Sequence, residues 1–574
     1  MNILGINGYD DWFHDPSACL LKDGKLIYFI EEERLIRKKR AVGQVPYYAI
    51  HKCLLEGNLQ WDDIDIIAVG WDIPLLASRL TKPLLKDTIV KNLLQSIGVH
   101  PEFPTSQVIF IPHHEAHAWS SLCLSPEKQS LVLIIDGQGD TESTSVFRYK
   151  NGQIERLIML DARFSLGYFY EGASWFVGLE LDGTGKLMGL AAYANEPSAI
   201  AFELAGESGY STLVPNQLTE IFDDNLDHAK SVVNGFWIPY FSRLYPKLAW
   251  KNLPVELPKI YREQLASIPE AIKLAGLAQE TVEKVVLNLI NTFIDDADSA
   301  IVLAGGVALN CKMNGVIAKA YPDRDIFIQP ASHDAGVALG AAIATSLKIG
   351  EWPVLLQDFP YTGASYSDLE IQNILKELGI KFEKADDVAE VASELIANSK
   401  VVGWFQGRAE VGPRALGARS ILARPDSTDI RDRINQEIKR RENWRPLSPA
   451  VLHHFGNQLF ESYKFSPYML VGYKATTKGK EILAGTVHID GTARPQSVSP
   501  DVSPERFCSL VERFFHKTGI PSLLNTSFNL AGEPIVNTPQ EAVNTFQHSN
   551  LDALVIGNCI IRRVKKIGGD DSIW

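Results

Sequence analysis

No two cysteines of this chain stand in a C-x-x-C pair. Its six cysteines (Cys19, Cys53, Cys123, Cys311, Cys508, Cys559) are scattered over 574 residues. That spacing excludes a zinc knuckle or a disulfide framework and fits reduced thiols in a cytoplasmic protein. A basic excess is also missing. The net charge of −13 argues against a non-specific nucleic-acid binder. The longest run of small apolar residues, Ala335–Ala344, is too short and too glycine-broken to span a bilayer. No charged-then-apolar leader opens the sequence, so no membrane partner is expected. A phosphate loop is lacking too, because Gly183-Thr184-Gly185-Lys186-Leu187 is the nearest approach to G-x-x-x-x-G-K-[ST] and fails it. What remains is ordinary globular material, 45% hydrophobic and 22% charged, with ample residues for a core.

Two strand-and-hairpin units organise the first part of the chain. Asn2 to Gly8 reads as an apolar strand, followed by strands near Ser17–Leu21 and Leu26–Ile30 around the turn Lys22-Asp23-Gly24-Lys25. The pattern returns about 130 residues later. Leu131 to Gly137 is followed by Ser143–Tyr149, the turn Lys150-Asn151-Gly152-Gln153 and Ile154–Leu157. A strand, a glycine-flanked turn and a hairpin, repeated, suggest a duplicated α/β domain whose tight turns bring backbone N–H groups to a nucleotide phosphate. Ala300 to Asn310, a buried strand running into Gly305-Gly306, could lay a nucleoside flat on bare backbone. Helical, aromatic-rich sequence from about 200 to 275 reads as an insertion in the second half. Its Asp224 and Asp227 are acceptor-binding candidates, although such carboxylates more often form a solvated face.

Histidine and arginine carry the chemistry. In His113-His114-Glu115-Ala116-His117 the periodicity predicts a helix that places His113 and His117 one turn apart, within reach of one ion. Asp136 and Asp334 would add hard oxygen ligands, a shell that suits Fe(II), Mn(II) or Zn. A lone His-x3-His is more often a helix cap and a core histidine. A Pro/Gly-rich stretch over 351–365 then divides 1–350 from 366–574. Beyond it, residues 401–450 hold ten Lys and Arg against six Asp and Glu in an otherwise acidic protein. Arg414, Arg445 and Arg494, converging on one pocket, would hold a small, highly charged anion bidentately. Leu524-Asn525-Thr526-Ser527-Phe528-Asn529 adds amide and hydroxyl donors.

These motifs, together with His14-Asp15-Pro16-Ser17-Ala18, Glu31-Glu32-Glu33-Arg34 and Gly412-Pro413-Arg414-Ala415-Leu416-Gly417, resemble the O-carbamoyltransferase family of the NodU/CmcH type over nearly the whole chain. The resemblance implies an α/β architecture: an actin-like first domain similar to tRNA threonylcarbamoyl transferase, and a second domain similar to the YrdC carbamoyl-adenylate-forming fold. It implies that carbamoyl phosphate and ATP, with Mg, meet at Arg414, Lys439, Arg445, Arg494, Asn525 and Ser527, where Lys439 and Arg494 act in catalysis. Carbamoyl-AMP would then reach the first domain. There Lys39, Gly137, Gly167, Gly306 and Asn310 would hold it, beside one divalent metal (iron by family, with manganese or zinc open) on His113, His117, Asp136 and Asp334. His14 would deprotonate a hydroxyl of a small-molecule natural product or sugar, its ordinary pKa of ~6.5 suiting that work. A homodimer is expected, with no nucleic-acid partner.

Three other readings stand beside this one. A tRNA threonylcarbamoyl transferase would not need the second domain. HypF carries both domains in the opposite order, behind an acylphosphatase and zinc sites. A non-catalytic actin-like ATP-binding module would leave the arginine pocket without a purpose.

Overall fold

The computed structural model describes the chain except for residues 10–12, 80–83, 101, 126–128, 181–182, 196–199, 216–229, 249–258, 355–358, 565–571 and 574. It divides into two compact units, one of Met1–Ile36 and Arg40–Leu356, the other of Arg37–Lys39 and Gln357–Trp574.

The first unit holds two five-stranded sheets. Strands β1 (Asn2–Asn7), β2 (Ser17–Lys22), β3 (Lys25–Glu31), β4 (Ile66–Val69) and β5 (Val108–Phe110) lie in the order β3-β2-β1-β4-β5. Strands β6 (Gln129–Ile135), β7 (Glu142–Lys150), β8 (Gln153–Asp161), β9 (Ala300–Ala304) and β10 (Asp325–Ile328) lie in the order β10-β9-β6-β7-β8. Both sheets therefore run third-second-first-fourth-fifth. In each, the first three strands form an antiparallel meander and the last two join the first strand in parallel. The duplication is visible in topology as well as in sequence. The central strands β1, β6 and β9 are almost continuously buried, as parallel-sheet strands covered on both faces must be.

Each half ends in a helix, His113–Leu122 after β5 and Ala335–Lys348 after β10. The two pack together through small residues. A Cβ added at Gly340 would fall 1.7 Å from the Ala116 carbonyl oxygen, so only glycine permits this approach. The 200–275 stretch is not helical throughout. Leu204–Ala205 pairs with Gly209–Tyr210 in a small hairpin, because Gly206 and Gly209 supply the positive φ that the turn needs. Helical elements follow at Lys230–Trp237, Ile238–Leu244 and Lys259–Gln264.

The second unit is built on one mixed sheet. Its strands are β11 (Glu383–Lys384), β12 (Val402–Phe405), β13 (Arg419–Ala423), β14 (Ser448–Leu452), β15 (Gln496–Val498), β16 (Ser522–Ser527), β17 (Ala553–Ile556) and β18 (Cys559–Val564). They lie in the order β11-β18-β17-β12-β13-β16-β14-β15, with Ser572–Ile573 added on β18. Period-two alternation feeds two cores. Trp404, Leu422, Leu523 and Val555 join helices Val388–Ala397 and Glu505–Thr518 in one, while Phe405, Ile421, Leu524 and Leu554 join helices Asp368–Glu377 and Pro539–Gln547 in the other. Among the described residues no helix is long and apolar enough to cross a membrane.

Candidate functional sites

In the first unit the strand ends and helix starts converge. Asp136 stands just past β6, Asp334 just before helix Ala335–Lys348, and His113 and His117 on the first turns of helix His113–Leu122. One ligand atom from each of the four lies within 4.8 Å of every other, and all four side chains are buried. His117 Nε2 is 3.2 Å from Asp136 Oδ2 and 3.1 Å from His113 Nε2, and His113 Nε2 is 3.8 Å from Asp334 Oδ1.

These residues fit a divalent cation. The Gly70 carbonyl, which can only accept, lies 3.0 Å from His113 Nδ1, so that nitrogen carries the proton and Nε2 presents a lone pair to the cluster. Burial, reinforced by His117, holds His113 well below its usual pKa, and therefore neutral. The two carboxylates are driven apart. Burial would raise Asp136, but the hydrogen bond and charge of His117 outweigh it and hold it below the usual range. Burial pushes Asp334 up to about 7, with the Asp136 charge adding to it. Two buried carboxylates facing two imidazoles, with no Lys or Arg in the set, are donors that suit a hard-to-borderline cation.

Around the cluster, His14 Nδ1 lies 3.0 Å from Asp15 Oδ2 and 3.7 Å from Asp334 Oδ2. Asp15, at φ 53, also takes Arg40 Nε at 3.3 Å and has His333 Nε2 at 3.8 Å. Burial and Arg40 lower the His14 pKa, but Asp334 and Asp15 prevail and lift it to about 9.

The glycines expected to bind a nucleotide gather beside Asp136. A Cβ on Gly167 would meet Gly137 N and Cα at 2.6 Å, and one on Gly306 would meet Asp136 Oδ1 at 3.2 Å. Asn310 is tied within the protein. Its amide pairs reciprocally with Gln279 at 3.0 Å, and its Oδ1 caps helix Cys311–Ala320 through Met313 N. Lys39 groups with the second unit instead of with these residues. Asp224 and Asp227 lie outside the described residues.

The second unit collects charge of the other sign. Lys439 follows a π-helical turn, Ile434–Ile438, a form frequent at functional positions. Its buried ammonium donates to the Ser527 carbonyl, to Ser527 Oγ at 3.1 Å, and to Asn529 O and Oδ1 at 3.1 and 2.5 Å. Burial, with Arg441 and Arg445 next, holds Lys439 well below the usual lysine range. Burial and then Arg445 act in the same direction on Arg441, with Arg494 also contributing. A guanidinium stays protonated, so Arg441 is a charge held in place against burial first and against its arginine neighbours second. Arg494 donates to Ser448 Oγ from Nε at 3.2 Å and Nη2 at 3.0 Å. Arg445 Nη1 is 3.7 Å from Glu442.

The loop bearing Arg414 is held from below. Glu410 Oε1 accepts from the amides of Leu416, Ala418 and Arg419, and Asn525 Nδ2 donates to Ala415 O at 3.2 Å. Arg419, fully buried, donates to the carbonyls of Ala364, Gln406, Gly407 and Ala418 and lies 3.6 Å above the Phe405 ring, which makes it a scaffold residue.

Arg441 is signalled in the sequence only by the run Lys439-Arg440-Arg441. Glu410, which accepts from backbone amides, Asp140, which accepts from His113 N, and Trp71, whose ring lies against that of His113, leave no spacing pattern.

Two family models match the chain: Carbamoyltransferase N-terminus over residues 76–343 and Carbamoyltransferase C-terminus over residues 393–563. The nodulation protein NolNO of Sinorhizobium fredii is 34% identical, the match spanning 96% of this chain and 79% of that protein. The 3'-hydroxymethylcephem-O-carbamoyltransferase of Amycolatopsis lactamdurans is 32% identical over 46% of this chain and 49% of its own length. Among solved structures, full-length HypF in a phosphate- and nucleotide-bound form aligns at 13% identity over 61% of this chain and 56% of that one. The TM-score of that alignment is 0.31.

Proposed function

The chain belongs to the carbamoyltransferase family, and from that premise we propose that it is an ATP-dependent O-carbamoyltransferase acting on a hydroxyl of a small-molecule natural product or sugar. The first unit is then an actin-like transfer domain, a reading supported by its repeated strand order, and the second a YrdC-like activating domain. The protein works in the cytoplasm.

One observation carries the reading: two charge clusters of opposite kind, one in each unit. The crowded cations Lys439, Arg441, Arg445 and Arg494 suit phosphate oxygens. In the second unit, water releases phosphate from carbamoyl phosphate, and the carbamate oxygen then attacks the α-phosphorus of ATP. Pyrophosphate leaves and carbamoyl-AMP remains. Arg414, Arg445 and Arg494 stabilise the charge that develops on the phosphates, Lys439 acts at the centre of the pocket, and Asn525 and Ser527 orient the donor. Mg accompanies ATP.

Carbamoyl-AMP then binds in the first unit on Gly137, Gly167, Gly306 and Asn310. His113, His117, Asp136 and Asp334 would hold one divalent ion, with iron the expectation and manganese or zinc open, which would supply Lewis acidity there. His14 takes the proton of the acceptor hydroxyl. With a pKa of about 9 it holds its proton at neutral pH, so it serves as a base only where the charges of Asp334 and Asp15 that hold that proton are offset. The hydroxyl oxygen attacks the carbamoyl carbon and AMP leaves.

The test is pyrophosphate release from ATP, with and without carbamoyl phosphate, in wild type and Arg445→Ala. Strict dependence on carbamoyl phosphate, with a rate loss of ~100-fold or more in the variant, supports the reading. Release that ignores carbamoyl phosphate removes it.

A further inference from the structure

Helix His113–Leu122 begins after Pro112, and no side chain of its own N-cap binds its first amides. The cap comes from elsewhere in the chain. Asp140, buried, accepts from His113 N through Oδ2 at 2.7 Å and from Asp72 N through Oδ1 at 2.8 Å. Both bonds bear on the same imidazole. His113 N fixes where the His113 side chain starts. Asp72 N anchors the Gly70-Trp71-Asp72 segment, whose Gly70 carbonyl accepts a hydrogen bond from His113 Nδ1–H and whose Trp71 ring lies against the His113 ring with centroids 3.6 Å apart. Trp71 is itself held by Nε1 donating to Asn7 Oδ1 at 2.9 Å. Asp140 lies four residues beyond Asp136, so one short loop carries both a carboxylate of the cluster and the anchor of its histidine helix.

We infer that Asp140 is a positioning residue for the metal cluster, holding His113 in the tautomer and orientation that present Nε2 to the ion. The inference rests on the reading of His113, His117, Asp136 and Asp334 as metal ligands. Asp140→Asn keeps the shape of the side chain but turns one acceptor into a donor facing an amide N–H, so one of the two anchors is lost. Partners of this kind, one step removed from a metal, typically change affinity ~10–100-fold when altered.

The experiment is an EPR titration of the chelator-stripped full chain with Mn(II), on wild type, His117→Ala and Asp140→Asn. The thermal midpoint of each metal-free protein is measured in parallel. The expected result is Mn(II) binding that His117→Ala abolishes and that Asp140→Asn weakens ~10–100-fold, with the metal-free Asp140→Asn protein still folded, its thermal midpoint above the titration temperature. Equal affinity in Asp140→Asn and wild type overturns the inference and leaves the metal reading standing. Wild-type binding that does not depend on His117 overturns both. If Asp140→Asn does not fold, Asp140→Ser carries the test. Its shorter side chain cannot accept from both amides, so Mn(II) binding weakens at least ~10-fold. Affinity equal to wild type in Asp140→Ser overturns the inference.

Discussion

The two halves of the first unit share one strand order, and their central strands end on corresponding residues of different chemistry. Asn7 closes β1 opposite Ser17, and Asp136 follows β6 with its amide bonded to Ser143 O at 2.8 Å. A glycine comes next in each, Gly8 and Gly137. In the first half the residue is an amide whose hydrogen-bonding atoms are all committed to scaffold. Asn7 Nδ2 donates to the carbonyls of His14 and Asp15, and Oδ1 accepts from Trp71. In the second half it is a carboxylate turned toward His117. The starts of the closing helices do not divide in this way, since His113 and His117 on one and Asp334 just before the other both join the cluster. Duplicated topology brings strand ends and helix starts to one place, and side-chain chemistry then decides which strand end faces the cluster and which serves as support.

The comparison breaks most severely where the two closing helices meet. In Gly340→Ala the new Cβ would lie 1.7 Å from a backbone oxygen that cannot move alone. The helices must separate, and chemical denaturation should register a loss of ~3 kcal/mol or more. Making the second half resemble the first, through Asp136→Asn, removes a charged ligand. Mn(II) affinity by titration should fall at least ~100-fold, about 2.7 kcal/mol, with little change in the metal-free protein. Retained affinity would mean that the residue ending the central strand is scaffold in both halves. The reverse exchange, Asn7→Asp, aims carboxylate oxygens at the carbonyls of His14 and Asp15. It should cost ~2 kcal/mol in denaturation and create no second Mn(II) site. Smallest is the effect of the ion itself. Mn(II) at about ten times its Kd should stabilise the wild type by ~1.4 kcal/mol and raise Tm by ~2 °C, a gain that a chelator reverses. The Asp136→Asn protein should show no such gain.

Much of this architecture was legible before folding. The repeated hairpins around Lys22-Asp23-Gly24-Lys25 and Lys150-Asn151-Gly152-Gln153 marked both meanders, since strand alternation and turn chemistry are local. His113 and His117 could be paired by helical spacing alone. Asp140, Trp71 and Glu410 could not be found that way. Each acts on a backbone group or a ring brought near by tertiary contacts, and a carboxylate that accepts from distant amides looks in sequence like any surface acid. The hairpin at Leu204–Tyr210 was hidden by the aromatic residues around it, which feed the core as readily from a strand as from a helix.

The sequence by itself determined the repeated strand-and-hairpin pattern and the placing of histidines with carboxylates early in the chain and of clustered arginines late in it, because periodicity, turn residues and charge are written in order along the chain. Tertiary structure alone decided which of those residues meet. Asp136 and Asp334 are 198 positions apart, yet their ligand atoms lie within 4.8 Å. That proximity, the proton on His113 Nδ1 and the crowding of Lys439 by arginines exist only once burial has removed water and left the groups to answer one another.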